Sequence, residues 1–311
     1  MILTVTPNPS LDLLYVADRL VWDDANRTGE PRRRPGGQGI NAARVARRLG
    51  GDAMAVALLG GPTGEEIRRT LEAEETPIVA VAAEAPTRLF IAAYDRERGQ
   101  SLLLNARGPA RSREDADRLL AAAAEAVGRH HPTWVAGCGS VPPGFDDAFY
   151  VRLAAVAKQA GARFVADCDG APLHSVAPQC DLLVPNAHEA GRLLGRPVAG
   201  IDDAVRAAIA LRERGPAIVA ITLGPQGAVL AAADTIVHAA TPLQAGQSAV
   251  GAGDAFLAAL LLGLEAGDDP ALALRSGVAA GTAVLVSTGT AILDPTLFRR
   301  IREEVVLGTT T

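Results

Sequence analysis

The sequence predicts an α/β protein built on a doubly wound, mostly parallel sheet. Short runs rich in β-branched residues alternate along the chain with longer segments rich in alanine and leucine. The short runs are almost continuously apolar, as is typical of strands with helices on both faces. The chain has 311 residues, without an internal repeat or a linker long enough to divide it. We therefore predict a single domain over residues 1–311.

The predicted elements follow one another in a regular order. Strands are predicted at residues 2–6, 53–59, 134–138, 164–167, 182–185 and 218–222. Helices are predicted at residues 41–49, 65–73, 114–127, 146–160, 202–214, 253–265 and 270–286. Because helices separate most of these strands, the connections favour parallel pairing within one sheet.

Two segments lack a helical pattern. Residues 88–94 and 100–105 flank a polar turn at 95–99, and this arrangement predicts a β-hairpin that no helix follows. The chain from Leu13 to Arg34 has no helical pattern either. We predict that segments 13–34 and 87–105 form a small β-sheet lid beside the main sheet. An uncovered sheet face or edge readily binds another chain, so we also expect a homodimer through this lid.

Composition excludes several classes of protein. Apolar residues make up 49% of the chain and charged residues 21%, which fits neither a disordered nor a fibrous protein. The formal net charge of -5 gives no reason to expect a nucleic-acid partner. Among the 30 basic residues only Lys158 is a lysine. A Walker A loop, which needs a lysine after its second glycine, is therefore excluded.

Cysteines and termini favour a cytoplasmic protein. Cys138, Cys168 and Cys180 are far apart and form no C-x-x-C pair, so we expect ordinary buried thiols. The N-terminus has no basic region before Arg19 that would mark a secretory signal. The uncharged stretch at 276–293 is diluted by glycine, serine and threonine. We interpret that stretch as a buried helix with the turn after it and expect no membrane span.

A glycine-rich turn with an acid carries the strongest chemical signal. Gly251, Ala252, Gly253 and Asp254 precede an apolar helix, and amides at a helix N-terminus bind anions such as phosphate. Asp254 lies where it can accept a proton from an incoming hydroxyl group. An equally simple interpretation is an acid that the helix dipole favours. The dinucleotide fingerprint G-x-G-x-x-G fails, because Phe256 occupies its third glycine position.

A second glycine turn opens onto the helix predicted at 41–49. Gly37 lets the backbone approach a small polar ligand, and Asn41 offers both a donor and an acceptor. A helix start with a glycine-rich entry explains the same pattern without a ligand. The arginine run at 32–34 just before this turn is either a solvated face or a phosphate clamp.

Polar residues also follow several predicted strands, at the edge where open α/β sheets bind ligands. Asp12 comes after the first strand, where a turn cap is the alternative. Asn186 and Glu189 follow another strand and suit a hydrated Mg²⁺ ion with phosphates. His188 between them fits a capping or surface position better than a metal ligand. Thr222 begins a glycine turn that is able to meet a nucleotide.

Taken in order, these segments resemble the ribokinase-like carbohydrate kinases of the PfkB type. The resemblance covers nearly the whole chain and is strongest to the phosphosugar branch, which contains minor 6-phosphofructokinase, 1-phosphofructokinase and tagatose-6-phosphate kinase. The segments that carry it are TPNPSLD at 6–12, PGGQGIN at 35–41, TR at 87–88, GSVPPG at 139–144, VPNAHE at 184–189, TLGPQGA at 222–228, VGAGD at 250–254 and AAGT at 279–282.

The resemblance implies a ribokinase-like fold, ATP and Mg²⁺ as cofactors, and a set of roles. Asp254 is implied as the catalytic base, beside an anion hole made by the amides of the 251–254 turn. The implied sugar and phosphate contacts are Asp12, Gly37, Gln38, Asn41, Arg88, Ser140 and, more weakly, Arg27. The implied ATP contacts are Asn186, Thr222, Gly224, Gly227 and Gly281, with Glu189 and Asn186 organising Mg²⁺ through water. A monovalent cation such as K⁺ is implied near Ser248, Val250, Val284, Ser287 and Gly289.

Several positions depart from the pattern of that branch. Gln38 stands where 1-phosphofructokinases usually carry lysine, and Phe90 stands where these kinases often have asparagine. Ala255 replaces the serine that commonly follows the catalytic aspartate, and Ala25 replaces a lysine of the minor 6-phosphofructokinase. The sequence DCDG at 167–170 replaces the usual D-x-S-G stretch.

The resulting expectation is an ATP-dependent kinase that phosphorylates fructose 6-phosphate, fructose 1-phosphate or tagatose 6-phosphate. Two alternatives stay open at this point. One is a kinase for an unphosphorylated sugar or a nucleoside. The other is a catalytically silent protein that binds sugar phosphates.

Overall fold

We describe residues 1–243, 250–285 and 293–309 of a computed structural model of the chain. The strands are β1 Ile2–Thr6, β2 Ser10–Ala17, β3 Arg32–Gly36, β4 Ala53–Gly60, β5 Ile78–Ala83, β6 Arg88–Asp95, β7 Gln100–Asn105, β8 Trp134–Cys138, β9 Arg163–Asp167, β10 Leu182–Leu183, β11 Ile218–Thr222, β12 Ala228–Ala232, β13 Thr235–Ala240 and β14 Val306–Thr309. The helices are α1 Gln38–Arg48, α2 Gly61–Ala73, α3 Arg113–His130, α4 Phe149–Gln159, α5 Gly170–Val176, α6 Ala187–Leu194, α7 Gly200–Arg212, α8 Ala252–Ala266, α9 Pro270–Leu285 and α10 Pro295–Glu304.

A large twisted sheet forms the centre of the molecule. Within the described ranges its strand order is β14-β13-β12-β11-β10-β9-β8-β1-β4-β5. The strands from β5 to β11 in this order pair in parallel, whereas β12, β13 and β14 add an antiparallel edge. The predicted mostly parallel α/β sheet is confirmed.

Both faces of this sheet are covered, which explains why its central strands are buried and mostly apolar. Along β4, Ala53, Ala55 and Ala57 belong to one core cluster, in which α1, α8 and α9 take part. The alternate residues Met54 and Val56 belong to a second cluster with α3, α4 and α7. Successive side chains of a strand point to opposite faces, so an alternating polar pattern would bury polar groups here.

A smaller sheet lies beside the large one and forms the lid. Its strand order is β3-β2-β6-β7, with β2 and β6 parallel and the outer pairs antiparallel. The predicted hairpin is present as β6 and β7. The segment from Leu13 to Arg34 contributes the end of β2 and the start of β3, as the absence of a helical pattern predicted.

Some predicted boundaries were wrong, each for a local reason. The helix predicted at 146–160 begins only at Phe149, because residues 146–148 form a turn closed by the Phe149 amide on the Asp146 carbonyl. The strand predicted at 182–185 is limited to β10, since Pro185 has no amide hydrogen for a ladder bond. Helix α1 begins at Gln38, three residues before the predicted start, whereas Gly36 and Gly37 precede the helix.

Other elements carry no clear signal in the sequence. Strand β5, the antiparallel strands β12 to β14 and the short helices α5, α6 and α10 were not predicted. The cysteines are buried and unpaired, as expected for ordinary thiols. No helix in the described part of the chain is long and apolar enough to cross a membrane.

Candidate active site

Asp254 and Asn41 form the centre of the site. Asp254 lies in the first turn of α8 and is buried, and its Oδ2 accepts a hydrogen bond of 2.8 Å from Asn41 Nδ2 on α1. Burial raises the pKa of Asp254 to about 7, with a further contribution from the charge of Asp12, while the Asn41 bond opposes the rise. A carboxylate with a pKa near neutrality is suited to accept and release a proton.

Glycines shape both turns that lead into these helices. Gly251 precedes α8 with φ 85°, and Gly37 precedes α1 with φ 109°. Residues with a Cβ rarely adopt these backbone conformations. A Cβ added at Gly253 would meet no described atom within 4 Å. The space beside the first turn of α8 is therefore open to a ligand as far as the described residues define it.

Asp12 lies on β2, in the lid sheet. It is buried, and its Oδ1 accepts a 2.6 Å hydrogen bond from Ser10 Oγ. A Cβ at Gly36, on the neighbouring strand β3, would fall 2.0 Å from the same oxygen. Glycine at position 36 thus leaves the space that the Asp12 carboxylate occupies, beside the Asp254 carboxylate whose pKa it raises.

Asn41 and Thr6 carry buried polar atoms without a partner. Asn41 Oδ1 and Thr6 Oγ1 have no hydrogen-bond partner among the described residues. Buried acceptors and hydroxyl groups are normally satisfied, so an unpaired atom at a candidate site indicates a place for a ligand or a water molecule. A sugar hydroxyl group has the donor that Asn41 Oδ1 lacks.

Gln38 faces a second buried acid, Asp167 at the end of β9. Its Nε2 lies 3.4 Å from Asp167 Oδ1, a long hydrogen bond. Burial raises the pKa of Asp167 well above its usual value, and the nearby charges of Asp254 and Glu189 raise it further. Gln38 therefore contacts a buried acid whose pKa is raised, whereas the resemblance implied a contact with the sugar or its phosphate.

Arg88 is held in place by backbone and amide oxygens. Its Nε and Nη2 donate to the Asn8 carbonyl at 3.2 and 3.1 Å, and Nη1 donates to the Ala106 carbonyl at 2.9 Å and to Asn105 Oδ1. Asn8 Nδ2 in turn donates to Ser140 Oγ at 3.1 Å. Asn8 thus brings Arg88 and Ser140 together, and burial lowers the pKa of Arg88 while Asp12 opposes this.

Asn186 and Glu189 form a capping box at the start of α6. The Asn186 side chain accepts from the Glu189 amide at 3.0 Å, and Glu189 Oε2 accepts from the Asn186 amide at 2.8 Å. Burial and the nearby charge of Asp169 raise the pKa of Glu189. An isolated bridge joins the backbones of Asn186 and Thr222, so these two predicted nucleotide contacts are neighbours.

The predicted nucleotide glycines lie on different elements. Gly224 and Gly227 bound the short turn between β11 and β12, with φ 58° and φ 84°. Gly281 lies on α9, where an added Cβ would come within 3.2 Å of the Ala252 carbonyl at the start of α8. Gly281 therefore lies next to the turn that carries Asp254.

The acids of the site fit a hydrated Mg²⁺ ion but not a metal cage. The charges of Asp254 and Glu189 are close enough to Asp167 to raise its pKa. Yet no group of three or more histidine, cysteine, aspartate or glutamate residues in the described ranges could hold a metal ion by itself. Mg²⁺ usually keeps several water molecules and binds through one or two carboxylates with substrate phosphates.

Three other predicted residues lie outside the described part of the chain. These are Ser248, Ser287 and Gly289 of the implied monovalent-cation site; Val250 and Val284 are described. Arg27 is exposed between β2 and β3, and no contact in the described structure joins it to the site.

Asn8 and Asp167 are site residues that the sequence analysis did not select. Asn8 lies in the 6–12 segment that carries the family resemblance, so the segment identified its position but not its contacts. Asp167 ends a predicted strand at the ligand-binding edge, which is a usable signal in hindsight.

Comparison with known proteins identifies the family of the chain. The model of the pfkB family of carbohydrate kinases matches residues 8–297. The chain is 32% identical over 295 residues to ATP-dependent 6-phosphofructokinase isozyme 2 of Mycobacterium tuberculosis, covering 93% of this chain and 85% of that protein. It is 31% identical over 311 residues to 1-phosphofructokinase of Rhodobacter capsulatus, covering 99% and 98%.

Solved structures of phosphofructokinase-2 from Escherichia coli have the same fold. One crystal structure in complex with substrates and products superposes with a TM-score of 0.90 and 29% identity, and it covers 97% of this chain and 98% of that chain. Another, in complex with potassium, has a TM-score of 0.89 and 29% identity with the same coverage. Since the family model spans most of the chain and the relatives match it almost from end to end, the chain belongs to the pfkB family of carbohydrate kinases.

Proposed function

We propose that this chain transfers the γ-phosphoryl group of ATP to a hydroxyl group of a ketohexose phosphate. The observation that carries the proposal is the buried Asp254, whose pKa is raised to about 7 at the N-terminus of α8 and which touches Asn41. The relatives named 6-phosphofructokinase isozyme 2 and 1-phosphofructokinase support the same reaction. Fructose 6-phosphate, fructose 1-phosphate and tagatose 6-phosphate are the candidate substrates.

Asp254 acts as the general base in this proposal. Its carboxylate accepts the proton of the attacking sugar hydroxyl group as the new O–P bond forms and the bond to the leaving ADP oxygen breaks. The amides of Ala252, Gly253 and Asp254 have no helix carbonyl before them to accept their hydrogen bonds. Those amides stabilise negative charge on the transferring group.

Hydroxyl groups of the sugar are held on the lid side. Asp12 is a buried acceptor, Asn41 Oδ1 is an unpaired buried acceptor, and the Gly37 turn lets the backbone approach the ligand. This arrangement supports a neutral polyol between the two carboxylates. In this arrangement Asp12 orients the sugar, and Asp254 accepts the proton of the attacking hydroxyl group.

The phosphate of the substrate is assigned to Arg88 and Ser140, with Gln38 and Arg27 as further contacts. A guanidinium group carries five N–H donors. Arg88 uses Nε, one donor of Nη2 and both donors of Nη1 in four hydrogen bonds to three acceptors of the described residues, which leaves one donor on Nη2. Arg88 is therefore a rigid single-point contact, and Ser140 beside it supplies a second donor.

The nucleotide side consists of Asn186, Thr222, Gly224, Gly227 and Gly281. ATP supplies the phosphoryl group, and Mg²⁺ neutralises charge on its phosphates. Glu189 would hold the hydrated metal ion through its Oε1, because its Oε2 accepts a hydrogen bond in the helix cap. Asn186 acts through its amide nitrogen, since its side-chain oxygen caps α6.

A monovalent cation is a further proposal for this site. The potassium complex of the Escherichia coli relative supports it. Carbonyl groups around Val250 and Val284, with those of Ser248, Ser287 and Gly289, are the proposed ligands. Val250 and Val284 flank the α8 turn and the end of α9, which supports a cation next to the anion hole.

We also propose that the chain is one kinase domain that dimerises through its lid. The lid exposes large apolar side chains on both faces: Leu89, Leu102 and Leu104 on one, and Leu103 on the other. Leu104 is 54% exposed on β7, at the edge of the lid sheet. A second copy of this chain covers these side chains. Three free buried thiols support a cytoplasmic location.

A coupled assay of ADP formation tests the main proposal. The panel contains the three ketohexose phosphates, their unphosphorylated sugars and a set of nucleosides. Turnover restricted to a phosphosugar supports the proposal, and preferential turnover of a sugar or nucleoside replaces it with the first alternative. Tight sugar-phosphate binding by calorimetry without turnover of any compound would make the protein a silent binder instead.

A further inference from the structure

Arg34 is a half-buried arginine whose guanidinium group has no partner among the described residues. It lies on lid strand β3, in register with Asp12 on β2. Its Nε is buried and has no hydrogen-bond acceptor among the described residues, and no ion pair to it occurs there. Its neighbour Arg33 points to the other face of β3 and binds Glu66 with two hydrogen bonds of 2.6 and 2.7 Å. The two arginines therefore differ in partners although they are adjacent.

The surroundings of Arg34 are strongly positive. Arg32, Arg44 and Arg48 lie close enough to lower its pKa together with burial, and only Glu74 opposes them. Glu74 is already bound to Arg44 by two hydrogen bonds of 2.7 and 2.8 Å. The segments outside the described ranges, 244–249, 286–292 and 310–311, contain no aspartate or glutamate side chain. No carboxylate side chain of those segments is thus available to Arg34.

Such an arrangement is costly without a counter-ion. A buried guanidinium nitrogen without an acceptor pays its desolvation in full, and neighbouring like charges add repulsion. An anion placed among the arginines removes both costs. The planar fork of arginine matches the geometry of a phosphate group, which is why arginine clusters favour phosphate over a compact monovalent anion.

We propose that Arg34, together with Arg32 and Arg48, binds a phosphate group between lid strand β3 and the second half of α1. Arg44 and Arg48 lie on one face of α1, since they are four residues apart. Arg48 follows Asn41 by about two turns, roughly 10 Å along the helix axis. The proposed phosphate is therefore separate from the one that Asp254 and the α8 turn would serve.

The location gives this site a consequence for the lid. Strand β3 belongs to the lid sheet, whereas α1 packs on the large sheet and carries Asn41. A phosphate bound by Arg34 and Arg48 bridges the two. Occupancy of the site should therefore hold the lid against the main body.

Thermal unfolding with inorganic phosphate tests the site without using catalysis. The variants are Arg34→Gln and, as matched control, Arg33→Gln, which removes the same charge from the same strand. Phosphate should raise the Tm of the wild type and of Arg33→Gln, relative to chloride at equal ionic strength. Arg34→Gln should lose this shift. In phosphate-free buffer, Arg34→Gln should be at least as stable as the wild type, because it removes an unpartnered charge.

Isothermal titration with inorganic phosphate gives the affinity. Loss of one charge-assisted contact should weaken binding at least about 10-fold in Arg34→Gln and leave Arg33→Gln unchanged. Equal phosphate binding by Arg34→Gln and wild type would overturn the proposal. It would also fail if Arg88→Gln abolished binding while Arg34→Gln did not, because the ion would then lie at the sugar-phosphate contact.

Competition identifies the source of the phosphate group. Fructose 6-phosphate or ATP is added as a competitor. If one of them displaces inorganic phosphate from both the wild type and Arg88→Gln, the phosphate group of that compound binds at Arg34. Unchanged phosphate binding in the presence of both would assign the site to free phosphate. Both outcomes support the site, and neither depends on the proposed reaction.

Discussion

Asn41 donates a 2.8 Å hydrogen bond from α1 to the buried carboxylate of Asp254 on α8. This bond favours the charged form of Asp254, whereas burial and the charge of Asp12 favour the protonated form. The balance leaves the Asp254 pKa at about 7, where a carboxylate can both receive and release a proton. Asn41 thus uses its Nδ2 on the Asp254 carboxylate, whereas its buried Oδ1 has no hydrogen-bond partner among the described residues.

The first prediction concerns the pH dependence of catalysis. Because the base must be ionised, kcat/KM for the phosphosugar should rise about tenfold per pH unit below about pH 7 and level off above it. Asn41→Ala removes the bond that lowers the Asp254 pKa, so its rising limb should move to higher pH. Steady-state rates between pH 5.5 and 9 measure both. A flat profile through pH 7 in the wild type would contradict the assignment.

The second prediction links catalysis to stability. Asp254→Asn should reduce kcat by about 10²–10⁴, since it removes the general base. The native pKa is raised, so the folded state binds the proton more tightly than the unfolded state and loses stability as pH rises from about 4 through about 7. Asparagine does not titrate, so the variant does not lose this stability. Each unit of pKa difference between the folded and unfolded states changes the free energy of unfolding by about 1.4 kcal/mol. Urea unfolding at pH 8 should therefore show a more stable variant.

The same unfolding measurement at pH 4 is the control for Asp254→Asn. At that pH the aspartate is protonated in the folded protein, so the advantage of the variant should shrink. A variant that is less stable than the wild type at pH 8 would contradict the prediction, because another interaction would then stabilise the buried charge of Asp254.

Much of the fold could be predicted from sequence because its cause is local. Strands such as β4 and β8 are apolar on both faces, and the helices between the strands are long enough to be periodic. The antiparallel edge was harder to predict. Strand β14 pairs with β13 across a long stretch of chain, whereas β12 and β13 form a local hairpin whose alanine-rich strands give only a weak β signal. The short helix α6 is set by its capping box, a signal visible at Asn186 and Glu189 but weak in a short segment.

The sequence indicated several residues that the structure brings together, but not the contacts between them. Asn41 and Asp254 are 213 positions apart, and only the ordered set of motifs indicated that they meet. Arg88 donates hydrogen bonds to Asn8, Asn105 and Ala106. These bonds depend on side-chain geometry, which no sequence pattern encodes. The same holds for Gln38, which contacts the buried acid Asp167.

The third prediction separates metal binding from helix capping at Glu189. Glu189→Gln keeps an oxygen for the Asn186 amide but removes the charge, whereas Glu189→Ala removes both. Both variants should need about tenfold more Mg²⁺ for half-maximal rate. Only Glu189→Ala should also lose stability, by about 1 kcal/mol. Glu125→Gln, an exposed change on α3, is the control. An unchanged Mg²⁺ requirement in Glu189→Gln would remove Glu189 from the metal site.

The fourth prediction concerns the lid. Sedimentation at micromolar concentration should show a dimer, and a charge on the lid leucines should dissociate it. Leu104→Glu and Leu103→Glu test the two faces of β7 separately, and Leu272→Glu on α9 is a matched control with a similar degree of exposure outside the lid. The face whose variant yields monomers is the interface. A monomeric wild type, or dimers in both lid variants, would contradict association through the lid.

The last prediction concerns the substrate phosphate. Arg88→Gln removes the donor that the described contacts of Arg88 leave for a ligand, so KM for the phosphosugar should rise about 10–100-fold with a smaller change in kcat. Arg88→Lys should not rescue it, because a lysine cannot reproduce the fork that holds Asn8 and Ala106. Arg96→Gln, an exposed lid arginine that pairs with Asp18, should leave KM unchanged. An equal rise of KM for an unphosphorylated sugar would mean that Arg88 only positions Asn8 and the lid.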